Sequence, residues 1–431
     1  MVKKARDHTQ CFIVLKRRRA KMKKRFALLV LALAMASAPL TGYGTGYRAA
    51  DGGCTVWAKD KKEDAKTDMK PVQQFGYQLL EQYLSEENPV MSPVSAYVML
   101  SMAGTGTKGT TKKEFQKVLG SDMLAVSKNI MELMPQEKEG AQLAIANSAW
   151  MDDMFEPQKK WLATAQQQLE SDVFQVNLST NAAKNKINKW VSERTNNLIP
   201  KLLDKKLNRG ARLALVNALY FHADWEQQFV PESTRKADFR LDDGTKVQAD
   251  MMHAYAYHCG YFKDKTSEGV VLPYKDSSFA FVAVKPSGDQ KIREWYASCQ
   301  DGQLEALIRE RKTETVTLSM PKFETRCRMM LNDSLKKIGI KRAFDAGKAD
   351  FSPAGKSKDG ENLYLSFVLQ EAVISVAEKG TEAAAATIGG VSAGSALMPD
   401  KPVVNFDRSF LYMIVDLDTE TPLFMGIMDE P

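Results

Sequence analysis

The chain has 431 residues, of which 44% are apolar and 26% are charged. This is the composition of a globular protein that buries its core without metal or disulfide staples. The formal net charge is +7, but residues 1–38 contribute +10 and the rest of the chain −3. The rest of the chain therefore gives no charge-based case for nucleic-acid binding.

The start of the chain predicts a secretory signal peptide over residues 1–38. Residues 23–25 are basic, residues 26–34 are apolar, and residues 36–38 form an A-x-A cleavage pattern. The apolar run is too short to span a membrane. Because the preceding residues are atypical of a signal, Met22 is an alternative start, and an uncleaved N-terminal anchor is the alternative fate. We expect export to the extracellular space or the periplasm.

Residues 39–70 predict a flexible linker, since they are rich in Gly, Lys and Asp, and residues 71–431 are predicted to form one domain. The cysteines have no C-x-x-C spacing, so they indicate buried thiols rather than a metal site. Cys54 also permits a lipid anchor at the cell surface, although Asp-Gly-Gly at residues 51–53 is not the sequence expected directly before a lipidated cysteine.

Helical patterns dominate the first part of this domain. Apolar residues recur at helical spacing in VQQFGYQLLEQYL. The segment SPVSAYVMLSMAG opens on Ser92 as a predicted N-cap, with Pro93 at the first helical position. A third helix is predicted in NKINKWVSERTNNL.

Strand patterns dominate the second part. They occur in ARLALVNALYF, SFAFVAVKP, ETVTLSMPKFE and ENLYLSFVLQEAVISVAEKG, and in SFLYMIVDL and PLFMGIM around a turn at residues 418–422. Helices first and strands later predict an α+β fold, with helices packed on large, mostly antiparallel sheets.

Catalytic motifs are missing from the sequence. It contains no H-E-x-x-H, no G-x-S-x-G and no phosphate-binding loop. The glycines of residues 103–111 follow a predicted helix and are typical of its C-cap. His258 and Cys259 are adjacent, but a thiolate nucleophile also needs an aligned base and an orienting group. We therefore expect no catalytic residue, metal or cofactor.

Residues 378–402, EKGTEAAAATIGGVSAGSALMPDKP, contain no aromatic residue, and Ile388 and Val391 are the only aliphatic residues larger than alanine before Leu397. Their composition fits a loop, and their alanines and β-branched residues also fit a strand. In a strand starting at Thr381, alternate residues face one side of the sheet. That set is small and uncharged: Thr381, Ala383, Ala385, Thr387 and Gly389. The alternative interpretation is a flexible linker.

Together these pieces resemble the serpin family, in a bacterial secreted form, over nearly all of residues 71–431. The segments that carry the resemblance are NPVMSPVSAYVMLSMAGTGTKGTT, LVNALYFHADWEQQF, DMM, LPY, SMPKFE, EKGTEAAAAT and VNFDRSFLYMIVD with PLFMGIMDEP. The resemblance implies a metastable suicide inhibitor of serine proteases. The protease attacks an exposed reactive-centre loop, and the acyl-enzyme is trapped when the cleaved loop inserts into the central sheet.

The resemblance also assigns residues to this mechanism. The implied hinge of the loop is Glu378, Gly380, Thr381, Glu382, Ala383, Ala384, Ala385, Ala386 and Thr387. The implied reactive bond is Gly394–Ser395, with alternatives at Ser395–Ala396 and after Leu397 or Met398. The implied residues under and at the opening of the sheet are Ser92, Ser95, Asn217, Trp225 and Gln370.

One departure from the family pattern S-x-V-x-H-K-A stands out, because Gln370 stands at its histidine. The amide of Gln370 still donates and accepts hydrogen bonds but does not titrate.

No Arg or Lys lies between Lys379 and Lys401, so a trypsin-like target is not expected. An elastase-like or subtilisin-like protease fits better, and chymotrypsin-like and cysteine proteases stay open. We expect a monomer that binds its protease covalently. The alternative is a non-inhibitory, secreted or surface-anchored binding protein of the same fold.

Overall fold

The computed structural model describes residues 68–133, 141–195, 197–275, 278–381 and 401–431. The helices among these residues are α1 (Lys70–Glu81), α2 (Pro93–Thr105), α3 (Gly109–Leu119), α4 (Met123–Leu133), α5 (Lys159–Ala163, continued by a π turn at Thr164–Gln168), α6 (Asn181–Arg194), α7 (Ile292–Ser298), α8 (Gln303–Arg309) and α9 (Asn332–Ile338). Two 3₁₀ turns lie at Pro231–Ser233 and Arg342–Phe344.

The strands are β1 (Val90–Met91), β2 (Ala141–Asp152), β3 (Phe155–Pro157), β4 (Asp172–Val176), β5 (Leu213–Asp224), β6 (Arg235–Arg240), β7 (Lys246–Lys263), β8 (Ser267–Pro273), β9 (Phe279–Pro286), β10 (Lys312–Pro321), β11 (Phe323–Met330), β12 (Gly355–Ser357), β13 (Leu365–Val376), β14 (Gly380–Thr381), β15 (Val403–Asn405), β16 (Phe410–Asp416) and β17 (Thr421–Met428).

These strands form two large sheets and one small one. The central sheet has six strands in the order β11-β13-β14-β5-β2-β4, with a further pairing of β13 with β5. The second sheet has nine strands in the order β1-β17-β16-β9-β8-β7-β10-β15, with β6 paired to β7. β3 and β12 pair separately. Most pairings are antiparallel, but β13 with β5, β2 with β4 and β10 with β15 are parallel.

Helix α2 lies in the main core, and every residue from Pro93 to Gly104 is buried. A helix that is apolar on all sides is expected to be buried in this way. Its N-cap is Ser92, whose side chain accepts a hydrogen bond from the Ser95 backbone N–H. Helix α1 buries one apolar stripe and begins at Lys70, one residue inside the predicted linker.

The other face of the central sheet is covered by α6. Ile187, Trp190 and Val191 of this helix are buried in a second apolar cluster with side chains of β2, β5 and β13. The central sheet therefore lies between the main core and α6. Within the described ranges, no helix is long and apolar enough to cross a membrane. The predicted α+β fold is confirmed.

Candidate functional site

The central sheet is divided at one end between β13 and β5. These parallel strands pair from Leu365 and Leu213 as far as Glu371 and Ala218. We call this paired stretch the seam. Beyond it, Gly380 and Thr381 of β14 lie between the two strands instead.

Thr381 sets the register of this short strand. It lies opposite Val376 of β13 and Ala223 of β5, antiparallel to both. Residues opposite each other in a sheet share a face, and Val376 and Ala223 belong to the main core. Thr381 accordingly faces the core and is 1% exposed. Its hydroxyl lies 2.5 Å from the hydroxyl of Tyr274, whose pKa is raised by burial.

Gly380 is required here by close backbone approach. A Cβ at this position would lie 2.0 Å from the carbonyl oxygen of Ala223 and 2.7 Å from the Cα of Asp224. Ala377 and Gly380 exchange backbone hydrogen bonds of 2.9 and 3.2 Å, which close the turn between β13 and β14.

Trp225 lies directly beside this turn. Its ring stacks on Tyr274 with centroids 4.7 Å apart. Its Nε1 donates to the Ala377 carbonyl at 2.8 Å, and its backbone N–H donates to the Lys379 carbonyl at 2.8 Å. Trp225 therefore hydrogen-bonds the turn through both its side chain and its backbone.

Glu378 fixes the outer side of the turn. Its Oε1 accepts a hydrogen bond from Thr234 at 2.9 Å, and its Oε2 lies 3.1 Å from Nζ of Lys322. Its carbonyl accepts from the Phe229 backbone N–H at 2.8 Å. Burial alone would raise the pKa of Glu378, but its own backbone N–H, Lys322 and Thr234 together lower it.

A buried polar cluster lies at the other end of the opening, under Gln370. Gln370 Nε2 donates at 3.0 Å to both the Ser92 carbonyl and Asn217 Oδ1, and its Oε1 accepts from the Ser92 N–H at 3.1 Å. Asn217 Nδ2 donates to Ser95 Oγ and, at 2.7 Å, to Asn147 Oδ1. All five residues are at most 3% exposed.

Asn147 is the member of this cluster that sequence reasoning missed. It lies on β2, directly opposite Asn217 of β5. The signal that could have identified it is strand alternation, because Asn147 falls on the same face as the apolar residues Leu143, Ile145, Ala149 and Met151.

The remaining predicted residues have different outcomes. Hinge residues 382–387 and bond residues 394–398 lie outside the described residues. Burial raises the pKa of the Cys259 thiol to about 12, so Cys259 beside His258 is not a thiolate nucleophile. Among the described residues, no group of three His, Cys, Asp or Glu side chains is arranged to hold a metal ion.

The fold and this site define a class of protein. It is an α+β protein whose central sheet is parted at one end by the first residues of an additional antiparallel strand, with a buried polar cluster where the parting stops.

Comparison with known proteins identifies the family. The family model Serpin (serine protease inhibitor) matches residues 70–431. The chain is 32% identical to Iris of Ixodes ricinus over 80% of this chain and 92% of Iris. Its fold matches native tengpin, a thermophilic serpin, with a TM-score of 0.79 and 30% identity, over 87% of this chain and 96% of tengpin. The chain belongs to the serpin family.

A second solved structure with this fold contains a small-molecule ligand. The complex of thyroxine-binding globulin with thyroxine matches with a TM-score of 0.74 and 27% identity, over 84% of this chain and 98% of the globulin.

Proposed function

We propose that this protein is a suicide inhibitor of serine proteases that traps the acyl-enzyme by inserting its cleaved loop between β13 and β5. One observation carries the proposal: Thr381 is already paired with Val376 and Ala223, whereas the pairing of β13 with β5 stops at Glu371 and Ala218. The first residue of the implied strand thus has its register before any cleavage.

In the inserted strand, the same register continued towards the seam would set Ala383 opposite Ile374 and Phe221. Both of these side chains belong to the main core and are at most 3% exposed. A small apolar side chain fits between them. A charge there would cost several kcal/mol without a partner.

The free energy of insertion supports a trap. A strand of a dozen residues adds about one net hydrogen bond per residue, each of about 1 kcal/mol, or on the order of 10 kcal/mol in total. This is comparable to the stability of a whole domain. The intact protein would therefore be metastable relative to the cleaved and inserted form.

The test is a titration of elastase with the protein, followed by denaturing gel electrophoresis. We expect activity to fall to zero near one inhibitor per enzyme, with a complex that survives SDS. The variant Ala383→Arg should be cleaved as a substrate without complex, because Arg cannot enter the core. The change Glu382→Arg, one residue away and facing outward in the inserted strand, is the matched control. Equal complex yield from A383R and wild type would contradict the insertion mechanism.

The target class follows from the residues near the implied bond. Because no Arg or Lys lies between Lys379 and Lys401, we propose an elastase-like or subtilisin-like protease, with trypsin as the negative control. Mass spectrometry of the released peptide distinguishes Gly394–Ser395 from the later bonds.

A non-inhibitory binding protein is the second candidate, and the similarity to thyroxine-binding globulin favours it. Rapid loop cleavage with no loss of protease activity would support this alternative.

We also propose that the protein acts outside the cytoplasm as a monomer, released after the signal peptide or held at the surface through Cys54. Metabolic labelling with a palmitate analogue, compared between wild type and Cys54→Ala, distinguishes these two fates.

A further inference from the structure

Residues 198–204, which follow α6, are fastened to β11 by two arginines. Arg326 Nη2 donates to the Leu198 carbonyl at 2.7 Å. Arg328 Nη2 donates to the Lys201 carbonyl at 2.8 Å, and its Nη1 lies 3.4 Å from Asp204 Oδ2. We call residues 198–204 the strap.

The strap is also fastened to α6. Asn188 Oδ1 accepts from the Leu202 and Leu203 backbone N–H groups at 3.1 and 2.7 Å, and its Nδ2 donates to the Leu203 carbonyl at 2.8 Å. Helix α6 is itself bound to β4, because Trp190 Nε1 donates to Asp172 Oδ2 at 2.8 Å. The salt bridge from Arg194 to the same carboxylate measures 2.6 Å.

The strap thus connects the two halves of the central sheet. β11 and β13 lie on one side of the seam, and β5, β2 and β4 lie on the other. Ile199, Leu202 and Leu203 share one apolar cluster with side chains of both β5 and β13. A strand that enters the seam must move the two halves apart by about 4.8 Å, the spacing of neighbouring strands. This movement strains the contacts of the strap.

Glu371 joins the strap contacts to the seam. It is the last residue of β13 that pairs with β5. Its Oε2 lies 3.1 Å from Arg328 Nε, while its Oε1 has no hydrogen-bond partner among the described residues. The side chain is 1% exposed. Burial raises its pKa, while Arg328 and Arg326 oppose that rise and Asp204 adds to it.

We propose that Arg328 is a positioning residue that fastens the strap across the seam and so limits how fast the central sheet admits a strand. The guanidinium group of Arg328 contacts β13 through Glu371. The same group contacts the strap through Lys201 and Asp204. The proposal rests on the proposed function, since loop insertion is the reaction whose rate it sets.

The test uses the intact protein and a synthetic peptide with the sequence of residues 381–394, TEAAAATIGGVSAG. Incorporation of the peptide is followed as the appearance of a heat-resistant species. We expect Arg328→Ala to take up the peptide about tenfold faster than wild type, because hydrogen bonds to charged groups are the stronger ones and a tenfold rate corresponds to about 1.4 kcal/mol. Arg309→Ala is the matched control. Arg309 is also paired with a carboxylate, that of Glu420 at 3.0 Å, but lies outside the strap, so its rate should not change.

A double variant separates the strap from the effect of an unpaired buried carboxylate. Arg328→Ala with Glu371→Gln removes the charge of Glu371 and still lacks the strap contacts. Its uptake should stay about tenfold faster than wild type, and hydrogen exchange of residues 198–204 should be faster in both variants. A return of the double variant to the wild-type rate would overturn the role of the strap.

The remaining outcomes distinguish this proposal from the proposed function. If wild type traps elastase and R328A takes up peptide at the wild-type rate, only the role of Arg328 is wrong. If wild type neither traps protease nor gains heat resistance with peptide, the proposed function is wrong and this inference falls with it.

Discussion

Gln370 satisfies a backbone donor, a backbone acceptor and the oxygen of Asn217 with one neutral amide. A neutral histidine offers one donor and one acceptor, whereas a protonated one offers two donors and no acceptor. The amide therefore does at every pH what a histidine does only when neutral. The buried cluster of this protein should be insensitive to pH in the range where histidine titrates.

The variant Gln370→His tests this point. In the buried cluster the charged imidazolium loses its bond from the Ser92 N–H, so its folded-state pKa should lie below the unfolded value of about 6.5. A lowered pKa means that stability is intact above the unfolded value and is lost as the pH falls below it towards the folded-state pKa. We expect Q370H to lose about 1 kcal/mol or more relative to wild type between pH 7.5 and 5, measured by urea unfolding.

Gln370→Ala serves as the control for this prediction. This variant leaves the buried hydrogen-bonding partners of Gln370 unsatisfied at every pH. It should therefore be less stable than wild type by about 1–3 kcal/mol, with no step in stability between pH 7.5 and 5. A stability difference between Q370H and wild type that stays constant from pH 7.5 to 5 would contradict the prediction.

The turn between β13 and β14 behaves as one element. Its backbone is held by Trp225 and Phe229, its carboxylate by Lys322 and Thr234, and its glycine by contact with β5. These contacts hold β14 between β13 and β5 beyond the end of the seam, and the seam itself stays paired. A substitution that removes one of these contacts should affect the insertion of the loop more than it affects the packing of the core.

Glu378→Gln tests the charge that holds this turn. The folded-state pKa of Glu378 is lowered from 4.5, so its contribution to stability is present above pH 4.5 and is lost as the pH falls through the lower folded-state value. At pH 7 we expect the free energy of unfolding of wild type to exceed that of E378Q by about 0.5–1 kcal/mol, the range of a partly exposed ion pair. The difference in melting temperature should shrink as the pH falls below 4.5.

Lys322→Ala provides the matched background for the same measurement. Without the lysine, the loss of stability caused by Glu378→Gln should shrink at pH 7. A loss that is independent of both pH and Lys322 would show that the charge of Glu378 does not hold the turn.

Local sequence patterns predicted several elements well. Ser92 with Pro93 predicted the start of α2, and the apolar segment ARLALVNALYF (residues 211–221) predicted β5, which runs from Leu213 to Asp224, because caps and strand periodicity are local properties. The hydrogen bonds of Gln370 with Asn217 and Ser92 link distant parts of the chain, and only the family resemblance suggested that group. The close approach of Gly380 to β5 was missed because it depends on tertiary packing.

At the scale of the whole molecule, the parallel pairing of β13 with β5 explains how the central sheet could gain a strand without being taken apart. The strands on each side of the seam keep their other neighbours, β11 and β2, whether or not the seam opens. Among the strand pairings of the central sheet, opening therefore breaks only the one from Leu365 to Glu371 with their partners. It also separates Gln370 of β13 from Asn217 of β5. An inserted strand would form hydrogen bonds on two edges, so the proposed insertion would gain more backbone hydrogen bonds than opening the seam breaks.

The stability of the cleaved protein tests this balance directly. Cleavage within residues 394–398 by a metalloprotease, which forms no acyl-enzyme and so cannot be trapped, should free the loop to insert. The melting temperature should rise by tens of degrees, since on the order of 10 kcal/mol is gained and about 1 kcal/mol moves the midpoint of a large domain by 2–4 °C. Differential scanning calorimetry of intact and cleaved protein measures the shift. Cleaved Ala383→Arg, whose side chain cannot pack between Ile374 and Phe221, should melt close to the intact protein, whereas cleaved Glu382→Arg should melt like cleaved wild type. A cleaved wild type that melts with the intact protein would mean that the seam does not accept the loop, and the metastability on which the trap depends would be absent.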